Sequence, residues 1–126
     1  MKRDMVLIRR ILLAVEEGHA SDEIEGYDAD TIKYHQALLV EAKLVEGKSL
    51  KYMDNATEVP SQVFISKLTW EGHEFIDLMK KSDVWNTIQS EFKDESFGTI
   101  IKVAKDLAEG WAKKRVKELL GDNFSK

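Results

Sequence analysis

The chain has 126 residues, 43% of them apolar and 33% charged, a composition that fits one globular domain and excludes a disordered tract. It contains no cysteine, which removes disulfides and thiolate zinc sites and agrees with a reducing compartment. The net charge of −4 is unevenly placed, because residues 18–46 hold seven acidic groups against two basic ones.

A helix is expected over residues 4–17. Met5, Ile8, Ile11/Leu12 and Val15 repeat at three and four positions, Asp4 can cap the start, and Gly18 stands where a left-handed C′ residue is wanted. The apolar run Met5-Val6-Leu7-Ile8 is broken by Arg9-Arg10, so neither a signal peptide nor a membrane span is expected. The reading is a chain of the bacterial cytoplasm. The loop from His19 to Asp28 has Ile24 and Tyr27 as its large apolar residues and predicts a short strand around residues 23–27.

A second helix follows from Ala29 or Asp30 to Ala42, capped by Asp28 or Asp30, with Ile32, His35, Leu38, Leu39 and Ala42 inward. Extended runs at 44–52 and 62–68 predict a hairpin with a long tip, beside the sole proline, Pro60. Thr69 is placed to cap a third helix to Lys80, a further helical stretch spans 82–92, and a last helix covers about 96–120 with Gly110 as a candidate kink. The aromatics Trp70, Phe75, Trp85, Phe92 and Trp111 are assigned to the core.

Helix, short strand, helix, hairpin, helix is the order of a winged-helix domain. In "TIKYHQALLVEAKLVEG" a helix passes directly into an apolar strand, and in "KLTWEGHEFIDLM" a strand ends at a threonine cap that starts a helix. These junctions resemble those of the winged-helix superfamily, including the multiple-antibiotic-resistance-type repressors. Through "MKRDMVLIRRILLAVE", "GYDADTIKYHQALLVEAKLVEG" and "LTWEGHEFID" followed by "VW", the chain also resembles a bacterial and phage family known as a domain of unknown function. That resemblance covers roughly residues 1–88 and implies a fold without an activity. The expected class is mainly α with a small β hairpin (α+β). A winged-helix-like domain over 1–82 would be followed by a C-terminal helical extension, 83–126, that packs on it or mediates dimerisation.

If the chain reads DNA, the second helix is the recognition helix with Thr31, Lys33, Tyr34 and Ala37 outward, and the hairpin is the wing with Lys48 and Lys51. Duplex binding requires a basic footprint. Residues 28–46 instead set Lys33 and Lys43 against Asp28, Asp30, Glu41 and Glu46, and no arginine there can read guanine. The last helix carries Lys102, Lys105, Lys113, Lys114, Arg115 and Lys117, and Ile100, Leu107 and Trp111 are its candidate dimerisation residues.

His73-Glu74-x-x-Asp77 approaches a zinc-protease pattern but has aspartate where the second histidine belongs. His35 is read as a satisfied core histidine, and His19 as a loop residue. With no nucleophile elbow and no glycine-rich phosphate loop, no catalytic, metal or cofactor residue is assigned. The expectation is a non-enzymatic protein that binds a macromolecule, as a homodimer. Two versions stay open, a regulator on double-stranded DNA and a protein–protein adaptor that has lost DNA binding. An enzyme, with a pocket collecting His35 or His73 and carboxylates, is the remote alternative.

Overall fold

The computed structural model describes residues 1–20 and 23–124, with side chains described through Gly121. Ser21 and Asp22, part of the expected loop, lie outside the described residues. The elements in chain order are α1 (Met5–Glu16), α2 (Ala29–Glu41), β1 (Val45–Leu50), β2 (Gln62–Leu68), α3 (Trp70–Lys80), α4 (Ser82–Thr87), a π-helical turn (Ile88–Phe92) and α5 (Phe97–Phe124). The class is mainly α with a two-stranded antiparallel hairpin. One compact unit spans Met1–Asp77, and a second begins at Leu78.

In the first unit α1 packs against α2 and β2, and α2 packs against both strands. The spacing of its apolar residues puts Met5, Leu7, Ile8, Ile11, Leu12 and Val15 of α1 in the core. Asp4 caps α1 by accepting from the Val6 and Leu7 amides at 2.9 and 3.2 Å. At its other end Gly18, at φ +83°, lets its own amide and that of His19 reach the carbonyls of Val15 and Ala14.

Asp28 caps α2, accepting from the Thr31 amide at 2.7 Å. The far end of α2 closes as α1 does, with the Lys43 amide on the Val40 carbonyl and that of Leu44 on Leu39. Here the left-handed residue is Lys43, at φ +61°, although a side chain disfavours that conformation. The inward face of α2 is Ile32, His35, Ala37 and Leu39. This corrects two assignments, since Ala37 is buried rather than outward and Ala42 is exposed.

The expected strand at 23–27 does not form. Those residues make a turn, with the Tyr27 amide bonded to the Ile24 carbonyl at 3.3 Å and Gly26 at φ +90°. A glycine in the left-handed region breaks the extended run that Ile24 and Tyr27 suggested. Among the described residues the sheet therefore has two strands, β1 and β2.

Their register shifts between Glu46 and Gly47, which pair with Lys67 and Ile65 and leave Ser66 as the extra residue. Without that bulge Leu68 would face away from Val63 and Ile65. With it, Leu68 enters the core. Ser66 Oγ donates to the Glu46 carbonyl across the bulge at 3.1 Å. Gly47 is required there, because a Cβ would fall 2.2 Å from the Phe64 carbonyl oxygen.

Thr69 ties three elements together. Its hydroxyl donates to the Lys43 carbonyl at 2.7 Å and accepts from the Gly72 amide at 3.0 Å. Its amide donates to the Leu44 carbonyl at 3.0 Å. Gly72 allows α3 to start against this junction, since a Cβ would lie 1.9 Å from the Leu44 carbonyl oxygen.

In the second unit α4, the π-turn and α5 contact one another. Val84, Ile88, Ile100 and Ala104 are buried there. Ser96 opens α5, its hydroxyl accepting from the Thr99 amide at 3.2 Å. The helix continues through Gly110 as one helical span. Burial ends before Glu109, and every residue from 109 to 120 is exposed.

Two of the five aromatics assigned to the core stand outside it. Trp70 is 75% exposed and Trp111 38%, whereas Phe75 is buried and Trp85 and Phe92 are half-buried. Trp70 is the first residue of α3, directly after its cap, and Trp111 lies beyond the buried part of α5.

Candidate functional site

Of the residues proposed to read DNA, the three on α2 are half-buried and the two on the hairpin are exposed. Thr31 is half-buried and its backbone serves the Asp28 cap. Lys33 is half-buried, and its ammonium donates to the Ser61 carbonyl at the base of β2, at 3.3 Å. Tyr34 is half-buried, edge-on to the His35 ring with centroids 5.5 Å apart. The exposed positions of α2 are Ala29, Asp30 and Glu41, so the helix offers solvent a negative charge at each end.

On the hairpin, Lys48 and Lys51 are exposed as expected. Beside them stand Leu50, Tyr52, Met53 and Phe64, all large, apolar and exposed. The tip is held by Asn55. Its Nδ2 donates to the Val59 carbonyl and to Ser61 Oγ, both at 2.9 Å, while its Oδ1 accepts from the Thr57 amide at 2.9 Å. Ser61 Oγ also accepts from the Tyr52 amide at 2.9 Å. These bonds give the tip a defined shape.

A cleft of about 690 Å³ lies in the first unit. Its walls are Val15 of α1, the following Gly18, Ala20 and Glu23, the α2 face of Ile32, Lys33 and Gln36, and Ser61 with residues 62–66 of β2. Gln36 reaches across one wall, its Nε2 donating to the Ala20 carbonyl at 3.3 Å. Neither His35 nor His73 lines it. Sequence reasoning missed this cleft, because its walls come from α1, α2 and β2, which lie far apart along the chain.

His35 is fully buried and satisfied on both ring nitrogens. Nε2 accepts from the Asp4 amide at 2.8 Å, and Nδ1 lies 2.8 Å from the Thr31 carbonyl. A carbonyl can only accept, so Nδ1 carries the proton and the ring is neutral in this arrangement. The reading of His35 as a core histidine is correct. It joins the start of α1 to α2. Asp4 extends the link, its Oδ2 accepting from the Tyr27 hydroxyl at 3.0 Å. Burial, then the Asp4 hydrogen bond and charge, raises the Tyr27 pKa. The hydrogen bonds from Thr31 lower that of Asp28.

His73, Glu74 and Asp77 are exposed on α3. Among the described residues no group of three or more histidine or carboxylate side chains is placed to hold a metal. Of the candidate dimerisation residues, Ile100 is fully buried within the chain and presents no surface to a partner. Leu107 is half-buried and Trp111 exposed. The exposed series continues with Val116, Leu119 and Leu120. No helix among the described residues is long and apolar enough to cross a membrane.

Against known proteins, residues 2–98 match the family described as Hypothetical protein (DUF2513). A protein of Haemophilus influenzae bearing the name "Uncharacterized protein" is 33% identical over 115 residues, covering 86% of this chain and 93% of its own length. No solved structure matches. The chain belongs to the family Hypothetical protein (DUF2513).

Proposed function

We propose that this chain is a non-enzymatic binding module of winged-helix type whose partner is a protein rather than duplex DNA. The observation that supports this most is the surface of α2. A recognition helix needs cations free to meet phosphates. On α2 the exposed charges are Asp30 and Glu41, and the lysine is engaged with Ser61. The apolar hairpin surface of Leu50, Tyr52, Met53 and Phe64 suits a protein partner better than a phosphate backbone. Lys48 and Lys51 are the features that favour DNA.

Fluorescence anisotropy with a random duplex at about 50 and 150 mM salt separates the two. Binding that weakens steeply with salt and disappears in Lys48→Glu/Lys51→Glu would establish the DNA reading. The protein reading expects no salt-dependent binding, together with a discrete co-purifying protein that is lost on Met53→Ser/Phe64→Ser.

Self-association through α5 is a second reading, supported by residues 109–120. A helix exposed all round has little but its own propensity to hold it, and isolated helices of that length are marginal in water. Trp111, Val116, Leu119 and Leu120 supply the apolar surface for a second copy. Light scattering across concentration tests it. A dimer abolished by Trp111→Ser/Val116→Ser supports it, and a monomer at about 100 µM removes it.

A further inference from the structure

We infer that Met53, at the tip of the hairpin, is a modification site for peroxide, and that its oxidation to the sulfoxide makes the hairpin surface more polar. The site itself stands on geometry alone. The change of surface rests on the protein-binding reading above and names how that surface is regulated.

The chain has four methionines, and the fold sorts them. Met53 is fully exposed and Met1 46% exposed, whereas Met5 and Met79 are buried. Oxidation requires the oxidant to reach the sulfur, so access decides the order. Met53 is held outward by the backbone. It is the second residue of a turn that the Asn55 amide closes on the Tyr52 carbonyl at 2.9 Å. Both arms of the turn are tied as well. The Ser61 amide donates to the Leu50 carbonyl at 2.8 Å, and Ser61 Oγ accepts from the Tyr52 amide and from Asn55 Nδ2, both at 2.9 Å. A side chain so exposed adds nothing to the core, and a polar residue would serve the turn as well. What methionine brings to this position is an apolar tip and an oxidisable sulfur.

The reaction consumes one molecule of hydrogen peroxide. A sulfur lone pair attacks one peroxide oxygen, forming the S–O bond as the O–O bond breaks. The proton of the attacked oxygen passes to the departing hydroxide, which leaves as water. Sulfur loses two electrons and the peroxide gains them. The product is a polar, chiral sulfoxide on the hairpin that also exposes Leu50, Tyr52 and Phe64. A strong hydrogen-bond acceptor there opposes burial against an apolar partner. Sulfoxide reductases reverse the step, so the change works as a switch.

The test treats the full chain with hydrogen peroxide and follows each methionine by peptide mass spectrometry over time. The first added oxygen is expected on Met53, at a rate within about tenfold of free methionine. Met1 follows. Met5 and Met79 react at least about tenfold slower than Met53, because the oxidant must wait for the fold to open. In urea that unfolds the chain the four rates converge. In Met53→Leu the fast gain of oxygen is lost and the other three sites keep their rates. The surface change is read on a phenyl chromatography resin. The Met53 sulfoxide elutes earlier than the parent and returns to the parent position after treatment with methionine sulfoxide reductases.

Met1 reacting ahead of Met53, or Met5 or Met79 within about tenfold of it, overturns the inference. So does a Met53 rate more than about tenfold below free methionine, or the same order persisting in urea. Unchanged elution of the Met53 sulfoxide overturns the switch and leaves the site standing. DNA binding by the hairpin would sink the protein-binding reading without altering the order of oxidation.

Discussion

Replacing His35 tests the link on which the first unit depends. The ring is fully buried and supplies the acceptor for the Asp4 amide, 31 residues away. Leucine has similar bulk and no acceptor, so His35→Leu chiefly strands that amide. An unsatisfied amide costs about 1–3 kcal/mol. The Thr31 carbonyl suffers less, because it retains its place in the helix ladder. His35→Ala adds a cavity to the lost bond, and large-to-small core changes cost about 2–5 kcal/mol in total. The two variants should therefore fall in order, leucine above alanine and both below the unaltered chain.

Urea unfolding by circular dichroism reads this directly. With a slope of about 1–3 kcal/mol per molar expected for a small protein, a loss of 2 kcal/mol moves the midpoint by about 1 M. Amide exchange at Asp4 should accelerate in both variants. If His35→Leu unfolds within about 0.5 kcal/mol of the parent, the histidine is filling space and the argument from its hydrogen bonds is wrong.

Three other outcomes follow from the same geometry. Gly72→Ala sets a Cβ 1.9 Å from the Leu44 carbonyl oxygen, so the junction must open. A loss above about 3 kcal/mol, or failure to accumulate folded protein, is expected in a thermal melt. Lys43→Gly relieves a left-handed lysine at φ +61° and should raise the melting temperature by a few degrees, for about 0.5–1 kcal/mol; an unchanged or lower value contradicts the C′ role. Asp28 has its pKa lowered in the fold by the Thr31 hydrogen bonds, so its contribution is present above the unfolded carboxylate pKa and is lost as pH falls through the folded one. Asp28→Asn keeps the cap but cannot titrate, so acid unfolding should be shallower in the variant, and identical acid profiles would refute the linkage.

Local signals made much of this fold legible. Asp4, Asp28 and Thr69 are side chains that cap in their own neighbourhood, and Gly18 is a left-handed stop. The residues that defeated local reading answer to distant or two-sided constraints. Gly26 turned an apparent strand into a turn, and a period-two pattern over five residues holds no information about that φ. Lys43 occupies a glycine's conformation because the apolar strand after it must leave α2 at once.

The bulge at Ser66 reverses the inward parity of β2, which places Leu68 in the core against the simple alternation. Ala37 is small enough to sit inward where the lysine and tyrosine near it were expected to share its face. The candidate site was legible only at its exposed lysines, Lys48 and Lys51. The cleft beside β2 draws its walls from α1, α2 and β2, which are distant in sequence, and the tie between Lys33 and Ser61 spans 28 residues. Neither leaves a mark in the spacing of residues along one element.

The central claim is that α2 and the hairpin do not form a duplex-reading surface. A titration of the isotopically labelled full chain with random duplex DNA at about 50 mM salt, followed by amide NMR shifts, tests it residue by residue. The account predicts no shifts at Thr31, Lys33 or Tyr34 and no saturable change along the hairpin. Saturable shifts at those three residues together with Lys48 and Lys51, fading as salt is raised, would contradict it.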